Sequence, residues 1–266
     1  MTRNEPTLTV QDWHAWFSVQ AGWTAATREW LYGQVGLERV AAALEVGCGT
    51  GVLVGGLVRR IAGRVVGLDL DAAMLAFARR EAAARWVQGD AHALPFADGA
   101  FDLVVCHYLL LWLADAGRAV REMARVTATG GAVLACAEPD YGGRIDHPPE
   151  LVEAGHLQAE ALRRQGADPA VGRRLGELFA GAGLQTTVGV MGGCWELPAS
   201  PGADWEAEQA MRERDLRGWL KAEELERLRH LERQAVLEGR RMLYVPTFYA
   251  LGRKTAEEGR KWSVAR

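Results

Sequence analysis

The sequence predicts an α/β fold: a parallel β-sheet with helices on both faces. Three observations predict it. From residue 40 to about 140, strand-length apolar runs alternate with helix-length amphipathic segments. The run 101–106 is almost continuously apolar, as a strand buried on both faces requires. The first strand-like run passes straight into glycines at 47, 49 and 51, which sets a tight turn between a strand and a helix.

The elements follow in order. Residues 1–39 read as helical and carry Trp13, Trp16, Trp23 and Trp30. Residues 41–46 form the first strand, 51–62 the first crossover helix and 64–69 the second strand. Helix 71–84 starts at Asp71, a good N-cap, and places Ala72, Leu75 and Ala76 on one face. A short strand spans 85–89. The turn Phe96-Ala97-Asp98-Gly99 leads into strand 101–106, and helix 114–127 is stopped by Thr129-Gly130-Gly131 before a fifth strand, 132–138.

Beyond Glu138 the regularity fades. Residues 139–149 form a loop of Gly, Pro, Asp and His. Helices are expected at 150–165 and 171–182, with Gly183 as C-cap. A strand is expected at 185–195. The charged stretch 204–238 is helical with a break near Arg217-Gly218, and 243–251 is the final strand. The expected organisation is an N-terminal helical cap (1–39), a core (40–197 and 242–254), an inserted helical lid (198–241) and a frayed tail (255–266).

Composition narrows the function classes. The chain has 266 residues, a net charge of −3 and 49% hydrophobic content. That supports a sizeable core and gives no field to gather nucleic acid. No apolar run of about 20 residues suggests a membrane span, and the N-terminus lacks signal-peptide order. Cys48, Cys106, Cys136 and Cys194 lie far apart, with neither metal-ligand nor disulfide spacing. A cytoplasmic protein with no metal is the simplest expectation, as a monomer or homodimer.

The glycine turn carries the chemistry. Its spacing is G-x-G-x-G. The dinucleotide fingerprint G-x-G-x-x-G needs glycine at 52, where this chain has Val52. Glu45, just before the turn, attracts a cation and repels a pyrophosphate. The loop therefore suits a ligand with an amino or sulfonium group. Asp69, 22 positions after Gly47, ends the second strand, where a carboxylate can accept from two ribose hydroxyls.

Four motifs stand in order: LEVGCGTG (44–51), VVGLDLDAAML (65–75), VQGDAHALPFADGAFDLVVCHYLLLWL (87–113) and REMARVTATGGAVLACAEP (121–139). Together they resemble the class I S-adenosylmethionine-dependent methyltransferases, in the type 11 or ubiquinone-biosynthesis-like small-molecule group. The resemblance implies a Rossmann-like sheet of seven strands, the last antiparallel. It implies transfer of a methyl group from S-adenosyl-L-methionine, leaving S-adenosyl-L-homocysteine, to an O, N or C atom of a small molecule. It also implies site residues. Gly47, Cys48, Gly49 and Gly51 bring backbone to the methionine part. Glu45 holds the amino end and Asp69 the ribose. Leu70 and Met74 give apolar contacts, although helix packing explains Met74 equally well. Asp90 and Ala91 meet the adenine, and backbone at Cys106 meets the amino group.

Other roles are read from placement. His107 is the general-base choice, because an unperturbed histidine titrates near neutral pH; a structural histidine is the competing reading. Arg28 could pair with the cofactor carboxylate, or be a surface helix arginine. Tyr141, Arg144 and Trp112 are the substrate-binding choices, and the loop 138–147 is either an acceptor site or a solvated hinge. The Asp/Asn-Pro-Pro-Tyr/Phe signature is replaced by Val105-Cys106-His107-Tyr108, which disfavours planar amino acceptors. The charges of 204–241, with Glu208–Arg212 and Glu213–Arg217 at i, i+4, read as a solvated face. The alternatives are a tRNA or protein acceptor, a non-catalytic binding protein, and a nicotinamide-dependent oxidoreductase.

Overall fold

The computed structural model describes residues 8–192 and 200–256. Two helices lead the chain, α1 (Val10–Trp23) and α2 (Ala25–Val35). Thr9 and Asp12 cap α1 reciprocally. Then come β1 (Ala42–Val46), α3 (Val52–Val58), β2 (Arg64–Asp69), α4 (Ala72–Glu81), β3 (Arg85–Gln88), β4 (Phe101–Cys106), α5 (Ala116–Val126) and β5 (Thr127–Pro139). The chain continues through β6 (Ile145–His147), α6 (Val152–Arg164), α7 (Leu175–Gly181), β7 (Gln185–Val190), α8 (Ala203–Leu216), α9 (Ala222–Leu237), β8 (Met242–Tyr244) and β9 (Thr247–Arg253).

The main sheet has seven strands in the order β3-β2-β1-β4-β5-β9-β7. β1 pairs in parallel with both β2 and β4, and β9 runs antiparallel between β5 and β7. This is the Rossmann-like sheet with an antiparallel last strand that the motifs implied.

Alternation along each strand builds a core on either face. Leu44, Val66, Val104 and Val133 point to the layer that holds Met123 of α5 and Phe179 of α7. Their neighbours Ala43, Val65, Leu103 and Leu134 point to the layer of α2, α3 and α4. α5 buries Ala119, Val120, Met123, Ala124 and Val126 on one stripe, and Asp115 caps it by accepting from the Arg118 amide at 2.8 Å. Asp71 caps α4 as expected, accepting from the Ala73 amide at 2.7 Å.

The second half departs from expectation in three places. The expected last strand, 243–251, is two strands: Val245 and Pro246 separate β8 from β9, because proline offers no amide to a ladder. β8 instead pairs with β6 in a separate two-stranded ribbon. The glycines expected to stop helix 114–127 lie inside β5, where its register against β4 shifts between Phe101 and Leu103. The expected strand at 185–195 is β7 up to Val190; residues 193–199, with Cys194 and Trp195, lie outside the described residues, as does most of the 255–266 tail. The helix break near Arg217-Gly218 is present between α8 and α9. Among the described residues no helix is long and apolar enough to cross a membrane.

Phe179 is fully buried between α7 and the sheet. Phe179→Ala should lower the unfolding free energy by about 3–5 kcal/mol, measured by urea denaturation.

Candidate functional site

The parallel register brings the C-terminal tips of β1, β2 and β4 to one edge of the sheet. A cleft of about 1710 Å³ opens there. Its walls include Glu45, Gly47, Cys48 and Gly49 after β1, Asp69 and Asp71 after β2, and His107 and Tyr108 after β4.

The turn after β1 is held by backbone. The Gly47 and Cys48 amides donate to the Leu68 carbonyl at 2.8 and 3.0 Å. Gly47 and Gly49 have φ of +70° and +49°, which disfavours any side chain. A Cβ at Gly47 would also stand 2.6 Å from Leu109, and one at Gly49 would stand 2.9 Å from the Phe17 ring. The Cβ positions of these glycines are thus closed by protein side chains as well as by the backbone conformation, while both residues line the cleft. Gly51 is not on the cleft wall; a Cβ there would meet the Trp86 ring of β3.

Asp69 joins the two strand tips. One of its oxygens accepts the Gly49 amide at 2.7 Å and the other accepts the Asp71 amide at 2.9 Å. A carboxylate has about four acceptor positions, so capacity remains on the cleft side. Glu45 is buried, and its Oε2 has no partner among the described residues. Burial pushes the Glu45 carboxyl up to about 8; Arg28 opposes the shift and Asp69 adds to it.

His107 sits behind a small chain of hydrogen bonds. Arg28 Nη1 donates to Thr24 Oγ1 at 2.7 Å, and Thr24 Oγ1 lies 2.9 Å from His107 Nε2. With Arg28 donating, the threonine proton goes to Nε2 or to the Ala21 carbonyl, and the Nε2 contact is shorter than the 3.3 Å to Ala21. When Thr24 donates to it, Nε2 is an acceptor and the ring is neutral. Burial, with Arg28 adding to it, lowers the His107 pKa to about 3. The near-neutral titration behind the general-base reading does not hold in this fold. Arg28 also donates to the Ala21 carbonyl at 3.0 Å, and it lies off the cleft wall.

The remaining expected positions divide. Met74, Trp112, Tyr141 and Arg144 line the cleft. Leu70, Asp90, Ala91 and Cys106 do not. Leu70 points into solvent, and Asp90 binds the His92 amide and ring at 2.8 and 2.7 Å. Cys106 is fully buried, and burial pushes its thiol well up, as an inert thiol requires.

The loop 138–147 is fastened through its acids, although Gly142, Ile145 and His147 are exposed. Glu138 is fully buried and accepts the amides of Leu109, Leu110 and Leu111 at 3.0, 2.9 and 3.2 Å. Burial pushes its carboxyl up to about 7 against those three bonds. Asp140 takes a forked pair from Arg173 at 2.6 and 2.8 Å. Arg144 forks onto Asp146, with both contacts at 2.7 Å, and reaches Gln158 Oε1; Gln158 in turn donates to Asp215 of α8 at 2.9 Å.

Several wall residues had no individual role in the sequence reading, which took most of the cap tryptophans as packing and one or two as lining an apolar pocket. Trp13, Trp16, Gln20 and Trp23 of α1 line the cleft. Their spacing of three, four and three is one helical face, a signal the sequence did contain. The Trp16 and Trp23 rings meet edge-on at 5.3 Å. Tyr108 also lines the cleft, with φ of +51°, a strained backbone for a non-glycine residue. The 204–241 segment is a solvated face only in part: Glu206, Arg217, Glu224, Arg227 and Arg233 are exposed. Gln209, Arg212, Asp215 and Glu232 are buried where α8 meets α9 and α6. Glu208–Arg212 pairs at 2.9 Å as expected, while Glu213 reaches Arg229 at 3.0 Å.

Comparison with known proteins agrees with this architecture. Residues 44–135 match the family profile described as a methyltransferase domain, type 11. A 2-phytyl-1,4-naphthoquinone methyltransferase of Thermosynechococcus vestitus is 40% identical over 131 residues, 46% of this chain and 56% of that protein. A demethylmenaquinone methyltransferase of Thermus thermophilus is 42% identical over 102 residues, 36% of this chain and 46% of that protein. The chain thus spans about half the length of these two curated relatives. Among solved structures, the YcgJ protein of Bacillus subtilis superposes with a TM-score of 0.57 at 18% identity, covering 87% of this chain and 99% of that one.

The His107 environment predicts a pH dependence. The folded state keeps the ring neutral down to about pH 3, whereas the unfolded chain protonates it below about 6.5. Its contribution is therefore intact above pH 6.5 and lost as pH falls toward 3. Between pH 7 and pH 5, the wild-type protein should lose about 1–2 kcal/mol more than His107→Gln, measured by urea unfolding at both pH values.

Proposed function

From a class I methyltransferase domain of the type 11 group over residues 44–135, we propose that the whole chain is an S-adenosylmethionine-dependent methyltransferase acting on a small molecule. The observation that carries this reading is the acidic strand-tip pair. Glu45 and Asp69 come from adjacent strands to one wall of the cleft, and Glu45 keeps an unpartnered oxygen. A cationic amino acid joined to a ribose suits that pair, because an ammonium beside Glu45 opposes the burial that raises its pKa, and a dinucleotide pyrophosphate does not. The residues present therefore fit the cofactor.

In this reading Glu45 takes the amino end, directly or through water, and the backbone of Gly47, Cys48 and Gly49 borders the methionine part. Asp69 takes the ribose hydroxyls on the lone pairs left by Gly49 and Asp71. Met74, the one expected nucleoside contact on the cleft wall besides Asp69, packs on the nucleoside. When bound, S-adenosylmethionine supplies an electrophilic methyl group. The chain itself has to hold the acceptor in line with that methyl, at about 3–3.5 Å and away from water. The aromatic face of α1 excludes water from above, and Trp112, Tyr141 and Arg144 border the acceptor half.

His107 is a neutral wall residue in this proposal rather than a base. Its Nε2 is engaged with Thr24 Oγ1, and its lowered pKa makes it a poor proton acceptor. The acceptor must then arrive as a competent nucleophile. Domain-level similarity to the quinone methyltransferases favours a small molecule over tRNA or protein, as does the small negative net charge.

The test is calorimetry with S-adenosylhomocysteine and NADH. The wild-type chain should bind the first and not the second. Asp69→Asn, which keeps the shape and loses charge, should weaken S-adenosylhomocysteine by about tenfold or more. NADH binding without S-adenosylhomocysteine binding would overturn the proposal.

A further inference from the structure

The cleft is divided by charge. Its acids at the strand tips are Glu45, Asp69 and Asp71. Beyond β5, the wall formed by the described residues carries Arg144, Arg164, Arg212, Arg214 and Arg217, with Glu208 and Asp215 as its acids. The carboxylates that hold Arg144 and Arg212 from behind, Asp146 and Glu232, are not part of the wall; their side chains are 8% and 2% exposed. Among the described residues, a ligand in this half therefore faces more guanidinium than carboxylate groups.

Two of these arginines are mounted in a particular way. The Arg164 guanidinium lies 4.0 Å from the Trp219 ring centre, and the Arg214 guanidinium lies 4.6 Å from that of Trp13. All four side chains line the cleft. They come from α6, α8, α1 and the turn after α8, so tertiary structure alone brings the two stacks to one chamber. Stacking fixes the plane of a guanidinium and leaves its N–H edge open for a planar or tetrahedral anion. Arg214 uses Nε and Nη2 on Asp215 at 3.4 and 3.0 Å, which leaves Nη1. Among the described residues, the ion pair of Arg164 is a loose one with Glu160, at 3.6 Å.

We propose that the methyl acceptor is an amphiphilic anion, with an apolar body against the tryptophans and a carboxylate or phosphate held between the Arg164–Trp219 and Arg214–Trp13 stacks. This rests on the methyl-transfer reading of the cleft and adds the acceptor's charge class. The acidic end takes the cationic ligand and the basic end takes the anionic one. The two ligands are thereby sorted within one continuous cavity before any close contact forms. Opposite charges also favour their approach to each other, and the field of the cleft should raise the rate of anion entry at low salt.

The test uses the full chain in two stages. Calorimetry with S-adenosylhomocysteine comes first, because failure there ends the methyltransferase reading itself. The saturated protein is then titrated with 2-naphthoate, 2-naphthyl phosphate, 2-naphthamide and 2-naphthylmethylammonium, which share one apolar body. The better of the two anions should bind about tenfold or more tighter than the neutral amide, with the cation weakest and the anion advantage shrinking as salt rises. Comparing the two anions separates carboxylate from phosphate. Arg164→Gln, at a side chain 68% exposed and therefore safe for folding, should weaken the preferred anion by about threefold to tenfold and leave the amide unchanged. Arg214→Gln should do the same, provided circular dichroism shows it folded despite the loss of an Asp215 partner. The proposal is overturned if, in protein that binds S-adenosylhomocysteine, neither anion binds, the amide or the cation matches them, or Arg164→Gln weakens amide and anion alike or neither.

Discussion

The Asp69 carboxylate joins the ends of two neighbouring strands, one oxygen on the Gly49 amide and the other on the Asp71 amide. Both bonds depend on the parallel register of β1 and β2, in which Val46 stands opposite Leu68. The same register lets the Leu68 carbonyl take the Gly47 and Cys48 amides. The left-handed turn, the entry of α4 and the acidic edge of the cleft are therefore one hydrogen-bonded unit. Shifting either strand by one residue would swap its buried faces and dissolve the unit at once.

Buried carboxylates do comparable work farther along the sheet edge. Glu138 gathers three successive amides after β4, which fixes Leu109 against the glycine turn and Trp112 at the cleft. Its raised pKa shows the opposing terms: burial disfavours the charge and the three N–H groups support it. Asp140 and Asp146 each receive a forked arginine, and the Arg144–Gln158–Asp215 chain ties the loop after β5 to α6 and α8. What looks in one dimension like a polar, glycine-rich loop is a set of fastenings between elements far apart in sequence.

The aromatic face of α1 closes the other side. Phe17 lies over Gly49, and His14 Nδ1 is 3.0 Å from Thr50 Oγ1. Thr24, at the helix end, engages both Arg28 and His107. The helix is thus bound into the glycine turn and the β4 tip by specific contacts, in addition to apolar packing. The cavity beneath it is apolar where tryptophans line it and charged at its two ends, a distribution that suits two ligands of unlike charge.

The sequence by itself determined the sheet through β5, the cap at Asp71, the glycine turn and the two acids at the strand tips. Those features are local: periodicity, turn chemistry and motif spacing act over a few residues, and parallel pairing adds only the adjacency of successive strands. The tertiary structure decided the rest. It turned His107 from a near-neutral titrating group into a buried neutral one, because Thr24 and Arg28 are 83 and 79 positions away along the chain. It split the last predicted strand at Pro246 and paired its first half with β6. It buried charges of α8 and α9 that i, i+4 spacing had assigned to solvent. Each of these outcomes depends on which distant side chain removes water from a group, and a linear pattern of residues does not specify that.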